Sequence, residues 1–290
     1  MPLKCYLCIV FSNRPKYIHC WGGLGSQLYA ISFALDLQDR AIKTKVIFHN
    51  SGITRRDLEA ESYITESVNY VVVEDYSSLG KRSWLSRKHS FKTLVVRGIG
   101  NILKFIGVVG SVNNDKEYKK IRPWTLVMRG HYSYRKQNLS TINRMYRNFF
   151  QLYSDLLKPI DLVLHYRLDD IVGIPGKSVI ESSRVVAELI KLEQYPELRI
   201  YSDSPKEVGR LMYGFIKQKF SVSDESTESL IINGVNSKCF IGTVSKVSFW
   251  IVFFRVSQDL DSINIMPSES RLHLFNALGD LSRFKGISFY

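Results

Sequence analysis

A rhythm of short apolar runs alternating with helix-length stretches, set out twice, constrains this chain more than any other feature. Lys16–Trp21 reads as a strand running into Gly22-Gly23-Leu24-Gly25. The pattern predicts a helix over about 26–40, with Leu28, Ile31, Leu35 and Leu37 on its apolar side. Further strands are expected at 45–49, 70–73 and 124–128, and a helix at 139–157. The rhythm then restarts with a strand over Asp161–Tyr166, a helix over Val179–Leu192 and a strand over Leu198–Tyr201. Ser204, Pro205 and Glu207 spell a helix start, with a serine N-cap, proline in the first turn and a capping-box glutamate. Cys239–Ile241 and Ile263–Ile265 read as strands, Val247–Phe254 and Glu269–Leu278 as helices. Alternation of this kind gives parallel sheets covered by helices, so the expected class is α/β with two Rossmann-like domains. Lys158-Pro159 marks the expected boundary, giving domains 1–158 and 159–290.

The chain has 290 residues, 45% of them hydrophobic, enough to bury two cores and to exclude global disorder. Four cysteines make neither a disulfide framework nor a zinc site, because Cys5-x-x-Cys8 has no second pair at metal-ligand spacing in Cys20 and Cys239; thiols in a reducing compartment are expected. Leu3–Phe11 is apolar but is interrupted by Lys4, is too short to span a bilayer, and lacks a small-residue cleavage site. These features predict a cytoplasmic protein, or one peripheral on the inner face of the cytoplasmic membrane.

The net charge of +13 favours anionic partners. Between Tyr76 and Asp115 there is no acidic residue, while Lys81, Arg82, Arg87, Lys88, Lys92, Arg97 and Lys104 interleave with Trp84, Phe91 and Phe105. Such a stretch suits either the face of an anionic bilayer or a plain solvated helix. A basic membrane- or nucleic-acid-binding protein without catalysis is therefore one reading. It leaves four ordered loop segments unexplained, and no recognised nucleic-acid-binding motif supports it, so no nucleic-acid partner is expected.

Each of those segments falls where a strand gives way to a loop, the place where open α/β sheets bind ligands. In Gly22-Gly23-Leu24-Gly25-Ser26-Gln27, glycines allow a tight turn and close approach to a ligand, and the following helix offers free N–H groups to a phosphate. The same letters also describe a bare strand-to-helix turn. His165-Tyr166-Arg167-Leu168-Asp169-Asp170 brings a forked, permanently charged guanidinium to a strand end, suited to a diphosphate; a simple ion pair of Arg167 with Asp170 is the alternative. Ser202-Asp203 precedes a helix; Asp203 is suited to accept from a ribose hydroxyl or to orient the Arg, and a plain N-cap cluster is the alternative. Thr243 to Trp250 supplies hydroxyls at a helix start, Ser245 and Ser248 among them. Asp259-Leu260-Asp261 has the letters of a metal-binding Asp-x-Asp but lies outside these segments and reads as a solvated loop, so no metal is expected.

Taken in order, the four segments resemble the alpha-1,2-fucosyltransferase family and its O-fucosyl and alpha-1,6 relatives. The opening Gly-Gly-Leu-Gly-Asn-Gln of that family is matched by residues 22–27 with Ser26 in place of Asn. His-x-Arg-Arg-Gly-Asp is matched by His165, Arg167 and Asp170, with Leu168 and Asp169 replacing Arg and Gly. Ser202-Asp203 matches the Ser-Asp pair, and Ser245, Ser248 and Phe249 match the Ser-x-x-Ser-Phe run. The resemblance implies a GT-B-like fold of two domains facing a cleft, with the acceptor and the glycine turn on the first and the nucleotide sugar on the second. It implies inverting transfer without metal or other cofactor, most simply of fucose from GDP-fucose in alpha-1,2 linkage, with another nucleotide sugar as the alternative donor. The acceptor it implies is a lipid-linked glycan in surface-polysaccharide (O-antigen) synthesis. Donor-binding residues by this match are Gly22, Gly23, Gly25, Ser26, Gln27, His165, Arg167, Ser202, Asp203, Ser245 and Ser248. Arg167 is expected to stabilise the leaving diphosphate and Asp170 to accept the hydroxyl proton.

Overall fold

The computed structural model describes residues 14–50, 57–73, 91–153, 160–168, 181–217, 219–223, 225–259 and 261–290, with the side chains of 91–97 left aside. The chain divides into two units, Met1–Thr141 and Ile142–Tyr290, so the division falls ahead of 158–159.

In the first unit, β1 (Lys16–Trp21), β2 (Thr44–His49), β3 (Tyr70–Val73), β4 (Val109–Ser111) and β5 (Val127–Arg129) form one sheet in the order β3-β2-β1-β5-β4, with every pairing parallel. The chain builds outward from β1 through β2 to β3, and its remaining strands lie on the other side of β1, so the topological switch point falls between β1 and β5. Helix α1 (Leu24–Gln38) follows β1 and is buried almost along its whole length, consistent with apolar residues on every side. Helix α2 (Phe91–Phe105) and the short α3 (Asp115–Lys119) complete the unit's described helices, and α4 (Leu139–Leu152) leads out of it. Arg135 is buried between Asp36, at 3.5 Å, and the Phe33 ring, whose centroid lies 4.1 Å from its guanidinium carbon.

In the second unit, β6 (Ile160–His165), β7 (Glu197–Tyr201), β8 (Lys219–Ser223), β9 (Ser237–Ile241), β10 (Ile263–Met266) and β11 (Ile287–Phe289) form the sheet β11-β10-β9-β6-β7-β8, again wholly parallel. Counted from its own first strand this is the doubly wound dinucleotide-fold order, and the switch point lies between β6 and β9. Helices α5 (Ser182–Lys191) and α6 (Pro205–Met212) bury Val185, Leu189, Val208 and Met212 against Leu162, Leu164, Leu198 and Ile200. Helix α7 (Thr227–Asn236) packs on α8 (Lys246–Gln258), and Phe249 to Val256 of α8 are all buried. Helix α9 (Arg271–Leu278) follows β10.

One buried cation ties this unit together. Arg255, on α8, donates to the carbonyls of Gly234, Val235, Ser237, Lys238 and Ile263, and to Ser237 Oγ and Asn264 Oδ1. Burial pulls its pKa down to about 10, and every acceptor named is neutral.

Several expectations need correction. The strand expected at 124–128 begins only at Val127, because Trp124 Nε1 and Thr125 Oγ1 are drawn back to the carbonyls of Ile106 and Gly107 in a turn. The capping box at Ser204 does not form: Ser202 Oγ accepts the Ser204 N–H at 3.0 Å, the bond reserved for Glu207, and the buried Ser204 hydroxyl has no partner among the described residues. α2 lies in the basic stretch for which a plain solvated helix was one reading, whereas α3, β4, β8, α7 and β11 were not anticipated; β8, in particular, is a half-exposed edge strand with sequence Lys-Phe-Ser-Val-Ser. No helix among the described residues is long and apolar enough to cross a membrane.

Candidate functional site

The carboxyl ends of β6 and β9 carry most of the residues singled out in the second unit. His165 closes β6 and is buried, its Nδ1 lying 2.8 Å from Ser248 Oγ at the start of α8. Ser248 Oγ also accepts from Thr243 N at 3.3 Å, and Thr243 Oγ1 donates back to the His165 carbonyl at 3.1 Å. This closed ring clamps the two strand ends across the switch point. Burial, reinforced by the nearby Arg167 charge, pushes the His165 pKa down to about 3, so the ring is neutral at physiological pH.

Two residues further on, Arg167 emerges half-exposed. Its Nε lies 3.8 Å from Asp203 Oδ2, while Asp203 Oδ1 accepts from Leu168 N at 2.8 Å. Asp203, at the end of β7, therefore fixes the backbone of the 166–168 turn and sits against the guanidinium. Both side chains are about one-third exposed, at 31% and 32%, so a ligand can reach them. The loop after β9 comes close because position 242 is glycine: a Cβ there would meet Met266 Sδ at 2.4 Å and Ser248 Cβ at 3.0 Å. The final residue, Tyr290, donates its hydroxyl to the Gly242 carbonyl at 3.0 Å.

The serines do not present their hydroxyls as the sequence suggested. Ser245 caps α8, accepting from Val247 N and Ser248 N; Ser248 is fully buried in the clamp; and Ser202 accepts from Ser204 N. They shape the loops that carry Arg167 and Asp203. Asp170 lies outside the described residues, as do Cys5, Cys8 and Lys158-Pro159. A shallow hollow on α6, lined by Lys206, Gly209, Arg210 and Tyr213, includes none of the predicted residues. Among the described residues no cluster of three or more His, Cys, Asp or Glu is placed to hold a metal ion.

In the first unit, the glycine turn sits at the carboxyl end of β1, beside the switch point. Gly22 adopts φ +101°, a conformation that side chains disfavour, and Gly23 is the N-cap of α1. Gln27 is only 3% exposed, and its amide is fully used: Nε2 donates to the carbonyls of Gly22 (3.1 Å) and Asp57 (2.8 Å), and Oε1 accepts from Glu59 N (2.9 Å) and Ala60 N (3.0 Å). The N–H of Leu24, at the helix start, donates to the Glu59 carboxylate at 3.3 Å. Gly25 is buried and Ser26 half-buried beneath the turn.

Beside this turn lies a cluster that sequence reasoning missed. In the register of the sheet, His19 stands opposite Arg129 on β5, and Trp21 opposite His49 on β2. His19 Nδ1 and His49 Nε2 are 2.7 Å apart; the Trp21 and His49 rings stack with centroids 4.4 Å apart; and the Arg129 guanidinium lies 5.0 Å from the Trp21 ring centre. Tyr132 donates its hydroxyl to the carbonyls of His19 and Met128, pinning β1 to β5. Burial, with Arg129 adding to it, lowers His19 to about 4; burial, then His19 and Arg129, lowers His49 to about 3. The available signal was the period of two: His19 and Trp21 share a face of β1 next to the glycine turn.

No family model matches this sequence, and no curated protein matches it. Solved structures similar in fold include the following three. A glycosyl transferase family 9 protein from Veillonella parvula is 9% identical, covering 87% of this chain and 80% of its own, with a TM-score of 0.42. The E. coli heptosyltransferase WaaC with ADP is 13% identical, covering 95% and 92%, with a TM-score of 0.48. The NodZ alpha-1,6-fucosyltransferase soaked with GDP-fucose is 12% identical, covering 83% and 93%, with a TM-score of 0.43. Similarity this weak carries no assignment of activity, donor or acceptor.

Proposed function

We propose that the protein is an inverting glycosyltransferase whose second unit holds a nucleoside-diphosphate sugar at the β6–β9 switch point. The observation that carries this reading is the convergence there of the three motif segments of that unit. His165 and Ser248 share a hydrogen bond, and Arg167, two residues beyond His165, pairs with Asp203, both part-exposed. Sugar transfer develops negative charge on a departing diphosphate, and a preorganised guanidinium at a strand end is suited to stabilise it. Arg167 takes that role and Asp203 aims it. Asp170, by its place in the motif, is the residue assigned to receive the acceptor's proton.

The finer reading is transfer of fucose from GDP-fucose, in alpha-1,2 linkage, to a glycan acceptor carried on lipid. It rests on the ordered motif set of residues 22–27, 165–170, 202–203 and 245–249, with the substitutions at Ser26, Leu168 and Asp169 noted above.

Purified protein is screened by thermal shift against nucleoside diphosphates, because a ligand bound only by the folded state adds about 2.7 kcal/mol at a hundredfold excess over Kd. Donor turnover is then followed with EDTA present. GDP is expected to stabilise the chain, GDP-fucose to be consumed without added metal, and Arg167→Ala to lose about 10²–10³-fold in kcat/KM. Turnover of UDP-sugars alone would keep the class and remove fucose. Salt-sensitive polyanion binding that survives Arg167→Ala, with no turnover of any nucleotide sugar, would replace the enzyme reading by the binding-protein one.

A further inference from the structure

The hollow on α6 and the turn that follows it have no part in the site described above. Lys206, Gly209, Arg210 and Tyr213 fall at helical spacings of three, four and seven, so they share one face, and together they line the hollow. Gly209 leaves the middle of that face without a side chain, and a Cβ there would meet only Val222 Cγ2, at 4.0 Å. Lys206 and Arg210 are exposed, and neither side chain has a hydrogen-bond or ion-pair partner among the described residues. Glu207 lies off this face.

The chain then turns at Gly214, whose φ of +87° side chains disfavour. Met212 is fully buried before the turn, and Ile216 packs against the same core after it, so the turn is anchored on both sides. It is also hydrogen-bonded: Tyr213 N donates to the Gly209 carbonyl at 3.0 Å and Phe215 N to the Met212 carbonyl at 3.2 Å. Between the anchors, Tyr213 and Phe215 are 81% and 64% exposed, and the exposed Lys217 follows them.

Two large rings held in water beside three cations call for an occupant that is both apolar and anionic. Two aromatic side chains offer roughly 300–500 Å² of surface, short of the about 800 Å² a side that a stable protein interface takes. Single-stranded nucleic acid calls for a basic groove that follows several phosphates, whereas these cations sit on one helix face and the turn beyond it. A bilayer needs no matching concavity: rings enter the headgroup region while lysine and arginine meet anionic lipid. Tyrosine suits that boundary, since its ring is apolar and its hydroxyl stays wet.

We propose that Tyr213 and Phe215 enter the surface of an anionic bilayer, with a lipid phosphate in the hollow between Lys206 and Arg210. The second unit thereby carries a membrane contact of its own, separate in sequence from the basic stretch before Asp115 and independent of the transferase reading.

The full chain is sedimented with vesicles of phosphatidylcholine, with and without phosphatidylserine, at low and at physiological salt. Binding is expected to require phosphatidylserine and to weaken as salt rises. The double variant Tyr213→Ser/Phe215→Ser is expected to weaken it about tenfold or more, and Lys206→Gln/Arg210→Gln about fivefold for each cation removed. All four side chains are exposed, so both variants are expected to melt at the parent's temperature. Phe105→Glu, at the exposed end of α2, places the contact and is expected to bind like the parent. The proposal is overturned if no vesicle binds, if phosphatidylcholine alone binds as well, or if both double variants bind like the parent. It is equally overturned if Phe105→Glu abolishes binding that the double variants retain, which moves the contact to the basic stretch. Binding of single-stranded RNA, or a concentration-dependent dimer, that the aromatic variant loses while vesicles never bind would assign the turn to those partners instead.

Discussion

The two units repeat one topological idea and use it differently. Each is a parallel sheet built outward from its first strand, and each concentrates polar residues at the carboxyl ends beside that strand. In the first unit, the glycine turn and helix start that seemed made for a phosphate are occupied from within, by the Gln27 amide and the Glu59 carboxylate. In the second, the serines and His165 lock one another, and the cation and carboxylate ahead of them remain open to solvent. A loop motif thus divides into residues that build the loop and residues the loop presents, and hydrogen-bonding capacity separates the two.

The sharpest way to break this contrast is to remove a presented residue and a building residue and compare. Arg167→Ala should lower donor turnover by about 10²–10³-fold, about 3–4 kcal/mol of lost transition-state stabilisation, while leaving the melting temperature nearly unchanged because the side chain is part-exposed. Gln27→Ala should do the reverse. It strands the N–H groups of Glu59 and Ala60 and should cost about 2–4 kcal/mol in urea unfolding, with nucleotide affinity of the folded fraction intact. If Gln27→Ala instead destroyed nucleotide binding at full stability, the division drawn here would fail. Ser248→Ala opens the clamp at His165 and should cost about 1–2 kcal/mol, with a loss of activity smaller than that of Arg167→Ala.

Acid provides a gentler test. His165, His19, His49 and His273 are all pushed down by burial from 6.5, to about 3, 4, 3 and 4. Below pH 6.5 the unfolded chain takes up protons that the folded chain refuses, so stability falls as pH drops from 6.5 towards 4. His165 alone should contribute roughly 1.4 kcal/mol per pH unit across that window. Melting curves at pH 7, 6 and 5 that coincide would show that these rings are not held neutral. His165→Asn should flatten the slope measurably.

Much of this organisation was legible in the sequence. β6 and α8 follow from nearly continuous apolar runs and their lengths, and β1, β2 and β7 from short apolar stretches in which more and less buried positions alternate. β4, β8 and β11 escaped because short or half-exposed edge strands carry too few apolar residues to show a period. The sequence places the motif residues at strand ends, but which of them hold the loops and which stand part-exposed was not legible. Whether Gln27 faces a ligand or the backbone of residues 57–60 depends on a loop some 30 residues away, and no local pattern encodes that. The His19–His49 pair was hidden for the same reason: it exists only once β2 lies beside β1 in register.

Arg255 gives the second unit a distinctive mechanical plan. One side chain gathers the tail of α7 and the beginnings of β9 and β10, at the amino ends of strands whose other ends carry the candidate site. The rim can therefore move while the base stays knotted. In native-state hydrogen exchange, amides near the start of β9 should open only with global unfolding, long after those of the 166–168 and 242–246 turns have exchanged.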